Sequence, residues 1–204
     1  MIPVRTSYFG PVLMQTKVDQ TRLDKLKEYG TIARNNKQSF NHKLAGHLKS
    51  QFYFDEQSSL WFYDNFKQEF DAYSNLFDAH FKQSLIKQFE PVGLWINYMR
   101  SGDFNPPHIH GADLSFVIFV EVPDELKKEA DAHEGDSPAP GSISFLYGED
   151  SDWVVSSHAH FPATGDMFIF PAKLRHFVMP FKSDIERVTV SGNLRMINDN
   201  IQKN

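Results

Sequence analysis

From Ser59 to about Phe89 the chain carries Phe62, Phe66, Phe70, Tyr73, Phe77, Phe81, Leu85 and Phe89 at spacings of three and four. Residues so spaced share one face of a helix, so the segment reads as an amphipathic helix of several turns with a single apolar stripe. A stripe this aromatic must be covered, and a sheet face is the surface that can cover it. We read it as core, not as a cofactor box. Ser58 or Ser59 is the expected N-cap. Pro91 is the expected end, since proline has no amide hydrogen to give.

Beyond Pro91 the texture changes to strands. Gly93–Arg100 is rich in strand-favouring residues, and Ser101-Gly102-Asp103 reads as a turn. Leu114–Val122 is almost continuously apolar, as in a strand buried on both faces. Ser142–Tyr147, Trp153–Phe161, Asp166–Phe170 and Glu186–Met196 follow, bounded by Gly, Pro or Asp. Short strands at this spacing indicate a sandwich or barrel. Before the aromatic stripe, Thr21 is expected to cap a helix carrying Leu23, Leu26 and Tyr29, a pattern that Gly30 weakens. A further short helix with Leu44 and Leu48 is expected over residues 41–50. The chain is expected to form a single domain over residues 1–204, with 1–90 a mostly helical support and 91–200 the β core. The charged, Pro- and Gly-punctuated stretch from Glu121 to Gly141 is long for a connection and is a candidate lid.

Composition removes several function classes. The net charge of −5 argues against a dedicated nucleic-acid or anionic-membrane binder, both of which need a positive surface. With no cysteine, disulfides, thiolate zinc sites and cysteine nucleophiles are excluded. Any metal must be held by histidine and oxygen. The first residues lack a signal-peptide pattern, and the longest apolar run, Phe116–Val120, is too short to span a bilayer. A cytoplasmic protein is the expectation.

The chemistry concentrates in three places. His108 and His110 stand at i and i+2, on one face if the backbone is extended. Pro106 and Pro107 favour that backbone, and Gly111 permits a turn that would swing Asp113 toward them. Imidazole and carboxylate together suit Fe, Mn, Ni or Zn. Next, the segment Thr164–His176 reads as a turn, a buried strand, a proline bend and a histidine at the start of another strand. Last, alternation in Glu186–Arg195 puts Arg187, Thr189, Ser191, Asn193 and Arg195 on one face, and Val188, Val190 and Leu194 with Gly192 on the other. If the polar face lines a barrel, it offers a guanidinium fork and hydroxyls for a carboxylate. A second pair, His158 and His160, is read as structural or substrate-facing.

From Trp95 to Asn193 these pieces together resemble the 2-oxoglutarate- and Fe(II)-dependent oxygenases, in the branch of uncharacterised, prolyl-4-hydroxylase-like members. The resemblance rests on Trp95–His110, Leu114-Ser-Phe-Val, Gly165-Asp-Met-Phe-Ile-Phe-Pro, His176 and Arg187-Val-Thr-Val-Ser-Gly-Asn. It implies a mainly β fold with flanking helices (α+β). The β core would be a double-stranded β-helix, a jelly-roll or cupin-like barrel, preceded by an N-terminal helical segment. It also implies Fe(II) and 2-oxoglutarate as cofactors, O₂ as cosubstrate, ascorbate as a candidate reductant, and hydroxylation of a peptide or small metabolite with succinate released. His176 would be the distal metal ligand, Arg187 the anchor of the 2-oxoglutarate carboxylate and Thr189 its helper. Tyr98, Asn97 and Ser191 are further cosubstrate candidates. The family's His-x-Asp/Glu pair is not reproduced, because His110 follows His108 where the acid should stand. His108 with Asp113, His110 with Asp113, and the set His108, His110 and His176 all remain open, with the carboxylate-containing sets favoured. A cupin-like metalloprotein independent of oxoglutarate and a non-catalytic β-barrel are the alternatives; Arg187 separates the first from an oxygenase, and succinate release from 2-oxoglutarate separates all three.

Overall fold

The strands that follow the aromatic helix assemble into two antiparallel sheets. A computed structural model describes residues 9–36, 50–82 and 88–197. In chain order the elements are β1 (Met14–Lys17), α1 (Gln20–Asn35), β2 (Gln51–Tyr53), α2 (Glu56–Phe81), β3 (Gln88–Met99), β4 (Asn105–His108) and β5 (Leu114–Glu121). They continue with α3 (Asp124–Asp131), β6 (Ile143–Leu146), β7 (Ser157–His160), β8 (Asp166–Pro171), β9 (Arg175–Val178) and β10 (Arg187–Ile197). The larger sheet has the order β1-β8-β5-β10-β3-β2, the smaller β4-β9-β6-β7.

The larger sheet is buried on both faces. Leu94, Ile96 and Tyr98 of β3, Phe116 and Ile118 of β5, and Val188 and Val190 of β10 form one core with Leu23 and Leu26 of α1 and Phe62, Phe66, Phe70 and Tyr73 of α2. Phe62 stacks between Phe66, at 4.3 Å between ring centroids, and Phe116, at 5.1 Å. The alternate residues face the smaller sheet, where Phe119, Phe168 and Phe170 pack with Ile143 and Phe145. The helical stripe thus covers the sheet as its spacing predicts. None of the described helices is long and apolar enough to cross a membrane.

Element ends differ from expectation for local reasons. Asp55, not Ser58 or Ser59, caps α2, its carboxylate accepting the Ser58 amide at 2.8 Å. Asp19, not Thr21, caps α1 in the same way through Arg22. A carboxylate one turn upstream serves the free amides of a helix start as well as a hydroxyl does. Gly30 does not stop α1. A Cβ there would run into the Ile96 side chain, so glycine lets the helix approach the sheet. Helix α2 ends at Phe81, with Lys82 in the left-handed conformation, rather than at Pro91. Phe89 and Pro91 belong to β3, and Pro91 sits where the register of β3 against β10 shifts. Such a bulge tolerates a residue without an amide hydrogen. Leu85 and residues 41–49, including Leu44 and Leu48, lie outside the described residues. The region before residue 91 also supplies β1 and β2, which join the larger sheet and went unrecognised in the sequence because they are so short.

The stretch from Glu121 to Gly141 contains α3, which begins after Pro123 with Asp124 and Glu125 in its first turn, where acidic side chains suit the helix dipole. Leu126 buries against Met99 and Phe181. The Glu129 carboxylate accepts the Lys182 and Ser183 amides, each at 2.8 Å. The stretch is therefore anchored at its helix.

Candidate metal centre

His108 and His176 are opposite one another across β4 and β9, and His110 follows β4 by two residues. The ligand-capable nitrogens of the three lie within 4.8 Å of one another. Both paired rings are set by the same local device. Nδ1 of His108 donates to the Pro106 carbonyl at 2.7 Å, and Nδ1 of His176 to the Leu174 carbonyl at 2.9 Å. A proton committed at Nδ1 leaves the lone pair on Nε2, the tautomer a metal requires. His110 is held through its backbone, whose amide donates to the Ala172 carbonyl in the β8–β9 turn at 2.9 Å. Burial, with the His108 ring beside it, pushes His176 down from 6.5 to about 3. The same two causes push His110 down to about 4, and burial lowers His108 as well. All three are neutral donors near pH 7, which suits a metal and resists protonation.

The cavity beside them lies between the sheets and is lined from β10 by Arg187, Thr189 and Ser191, and from β3 by Trp95, Asn97 and Met99. Arg187 is only 3% exposed. Its Nη1 donates to the Gly141 carbonyl at 2.7 Å, and its Nη2 lies 2.9 Å from the Met99 sulfur. Its Nε is buried with no partner. Among the described residues no carboxylate pairs with it. Burial lowers its pKa to about 10, so the guanidinium stays charged at neutral pH. A buried, unpaired cation facing a cavity is costly unless an anion joins it.

Two expected site residues lie elsewhere. Asp113 is exposed, and its carboxylate accepts the Met196 amide at 2.8 Å at the far end of β10. Its backbone is tied to Leu194 and Ala172. The turn at Gly111 thus carries Asp113 away from the imidazoles, not back to them. Tyr98 faces the helices, with the Arg34 guanidinium 4.2 Å from its ring centre. Its strand neighbour Asn97 faces the cavity, and adjacent strand residues cannot share a face. That signal was available in the sequence. His160 Nε2 lies 3.2 Å from the buried Asp166 carboxylate, and His158 is exposed. Sequence reading missed Gln51 and Asn105, which also line the cavity. Gln51 sits on a three-residue strand with no readable period.

Two facing sheets thus enclose a cluster of three imidazoles that could hold a metal ion, and a buried guanidinium lines the same cavity. Residues 93–193 match the family described as "Putative 2OG-Fe(II) oxygenase", and the chain belongs with the 2-oxoglutarate- and Fe(II)-dependent oxygenases as an enzyme of that type. That family uses Fe(II), 2-oxoglutarate and O₂. Among solved structures, the fold is similar to a Pseudomonas putida prolyl-4-hydroxylase, with a TM-score of 0.55 and 16% identity over 91% of this chain and 93% of that one. It is also similar to the viral collagen prolyl hydroxylase of Paramecium bursaria Chlorella virus-1, solved with 2-oxoglutarate, with a TM-score of 0.56 and 12% identity over 91% of this chain and 96% of that one. No curated protein matches the chain in sequence.

Proposed function

We propose that this enzyme hydroxylates its substrate while decarboxylating 2-oxoglutarate to succinate, on a double-stranded β-helix within one domain spanning residues 1–204. The order of strands supports the β-helix: from β3 to β10 the chain passes between the larger sheet (β3, β5, β8, β10) and the smaller (β4, β6, β7, β9). The observation that carries the function is Arg187, charged, buried and, among the described residues, without a counterion in the cavity that also holds the imidazoles.

The donor set fits the metal. His108, His110 and His176 would hold Fe(II) through three neutral imidazoles, two of them with Nδ1 already committed to backbone carbonyls. Asp113 is not part of the proposed set. Bound Fe(II) with 2-oxoglutarate supplies the activation of O₂. The chain supplies the rest. Arg187 anchors the distal carboxylate and Thr189 assists, while Asn97 and Ser191 complete the polar wall. Phe119, Phe170 and Val178 keep the cavity dry, which strengthens the charge pairing inside it. Arg187 also favours this reading over an oxoglutarate-independent cupin, whose site need not contain a buried guanidinium.

The substrate is a peptide or a small metabolite. Similarity of fold to two prolyl hydroxylases makes a proline-containing peptide the first to try. The test is succinate release from 2-oxoglutarate by protein supplied with Fe(II) and ascorbate as reductant. Slow turnover without substrate is expected, together with a 2-oxoglutarate-dependent rise in melting temperature. The absence of both would remove this reading.

A further inference from the structure

We infer that Gln51, which no motif singles out, is a positioning residue that turns the cavity wall of β3 and β10 into an array of hydrogen-bond donors selective for a carboxylate. The inference rests on the 2-oxoglutarate reading and extends it to how the anion is recognised.

Gln51, Asn97 and Thr189 lie in one row across three strands, since Gln51 pairs with Asn97 between β2 and β3, and Asn97 with Thr189 between β3 and β10. Gln51 is only 1% exposed. Its Nε2 donates to Asn97 Oδ1 at 2.7 Å. With its acceptor engaged, the Asn97 amide directs Nδ2 toward Thr189 Oγ1 at 3.0 Å and Ser191 Oγ at 3.3 Å. A hydroxyl that accepts a hydrogen bond keeps its own hydrogen to give. Thr189 and Ser191 therefore offer hydrogens to the cavity, beside a guanidinium that can only donate. A carboxylate, which only accepts, matches that wall at every contact.

The opposite amide orientation would reverse the result. Asn97 Oδ1 would then take the hydrogens of Thr189 and Ser191, leaving oxygen lone pairs toward the ligand carboxylate. With the Gln51 amide held as it stands, that would also bring Asn97 Nδ2 against Gln51 Nε2, two donors in a buried place, which costs the desolvation of both. Gln51 acts through Asn97 by selecting one of two amide orientations.

The test is a double-mutant cycle read by calorimetric titration of 2-oxoglutarate into Mn(II)-loaded protein. The variants are Gln51→Met, Thr189→Val/Ser191→Ala and their combination. Gln51→Met keeps the length of the side chain and removes its donor. It should weaken 2-oxoglutarate binding about tenfold, the weight of a hydrogen bond to a charged group. Mn(II) affinity should be unchanged. In the Thr189→Val/Ser191→Ala background the same change should cost nothing further, because the hydroxyls it orients are gone. Losses that simply add, or a Gln51→Met variant that binds as tightly as wild type, would overturn the inference while leaving the function intact. Wild-type protein that binds no 2-oxoglutarate would overturn both. Gln51→Leu takes the same place in the cycle should the methionine variant not fold.

Discussion

The two faces of the larger sheet are made from the same strands and differ residue by residue. Toward the helices, Leu94, Ile96, Phe116, Ile118, Val188 and Val190 share one core with the aromatic stripe of α2 and with Leu23 and Leu26 of α1, and the packing is mostly apolar. Toward the smaller sheet, the alternating neighbours include Asn97, Ser115, Arg187, Thr189 and Ser191. Both faces are buried, so burial alone does not make a core. One face satisfies itself through ring contacts. The other keeps a guanidinium that no carboxylate of the described residues pairs with. A strand with period two can carry both programmes at once, because neighbouring side chains never meet. Along β3, β5 and β10 stability and function thus fall on opposite faces, and either face can be altered alone.

The largest effect on function is expected on the cavity side, from His176→Ala. Metal binding should be lost, as followed by titration with Fe(II) or Mn(II). Retention of wild-type affinity would remove His176 from the ligand set. The largest effect on stability is expected on the helix side. Phe62→Ala deletes a ring that is fully buried between two others, and should cost about 3–5 kcal/mol in urea unfolding. The metal affinity of the folded fraction should be unchanged.

Arg187→Met comes next and tests the contrast most directly. Affinity for 2-oxoglutarate should fall about a hundredfold, as when one partner of a buried charge pair is removed. The stability of ligand-free protein should hold or rise, because a methionine needs no counterion. Destabilisation with unchanged affinity would make Arg187 a structural residue. A milder effect should follow pH. The folded protein holds His110 and His176 neutral, at about 4 and about 3, against an ordinary 6.5. The unfolded chain binds protons first, so metal-free protein should lose stability as pH falls from about 6.5 toward 4. His176→Ala should flatten that dependence. Tyr98→Phe should have the smallest effect, leaving 2-oxoglutarate affinity within about twofold of wild type, the scatter expected for a residue that does not touch the ligand. A larger loss would mean that the helix side reaches the ligand after all.

Much of this division was legible in the chain. The spacing from Phe62 to Phe81 announced a helix face in need of cover, and the alternation from Arg187 to Arg195 separated the polar from the apolar face of β10. The i, i+2 spacing of His108 and His110 required only an extended backbone to bring them to one side. Less legible was whatever depended on the next layer of packing. Asp113 is close to His110 in sequence, yet the β8–β9 turn and the end of β10 hold its backbone and carboxylate away. The amphipathic character of α3 was hidden in a charged stretch by a single buried leucine, Leu126.

Local periodicity thus determined which elements form and which of their faces are apolar, because side-chain direction in a helix or strand follows from backbone geometry alone. It also placed a cation and hydroxyls on the polar face of the last strand. Only the tertiary structure decided that three imidazoles from two strands of the smaller sheet and the loop after one of them converge, and that Asp113 stands apart. It alone brought Gln51, from a strand too short to announce itself, behind Asn97. Convergence depends on register and on the meeting of two sheets, and those are settled by packing between residues far apart in the chain.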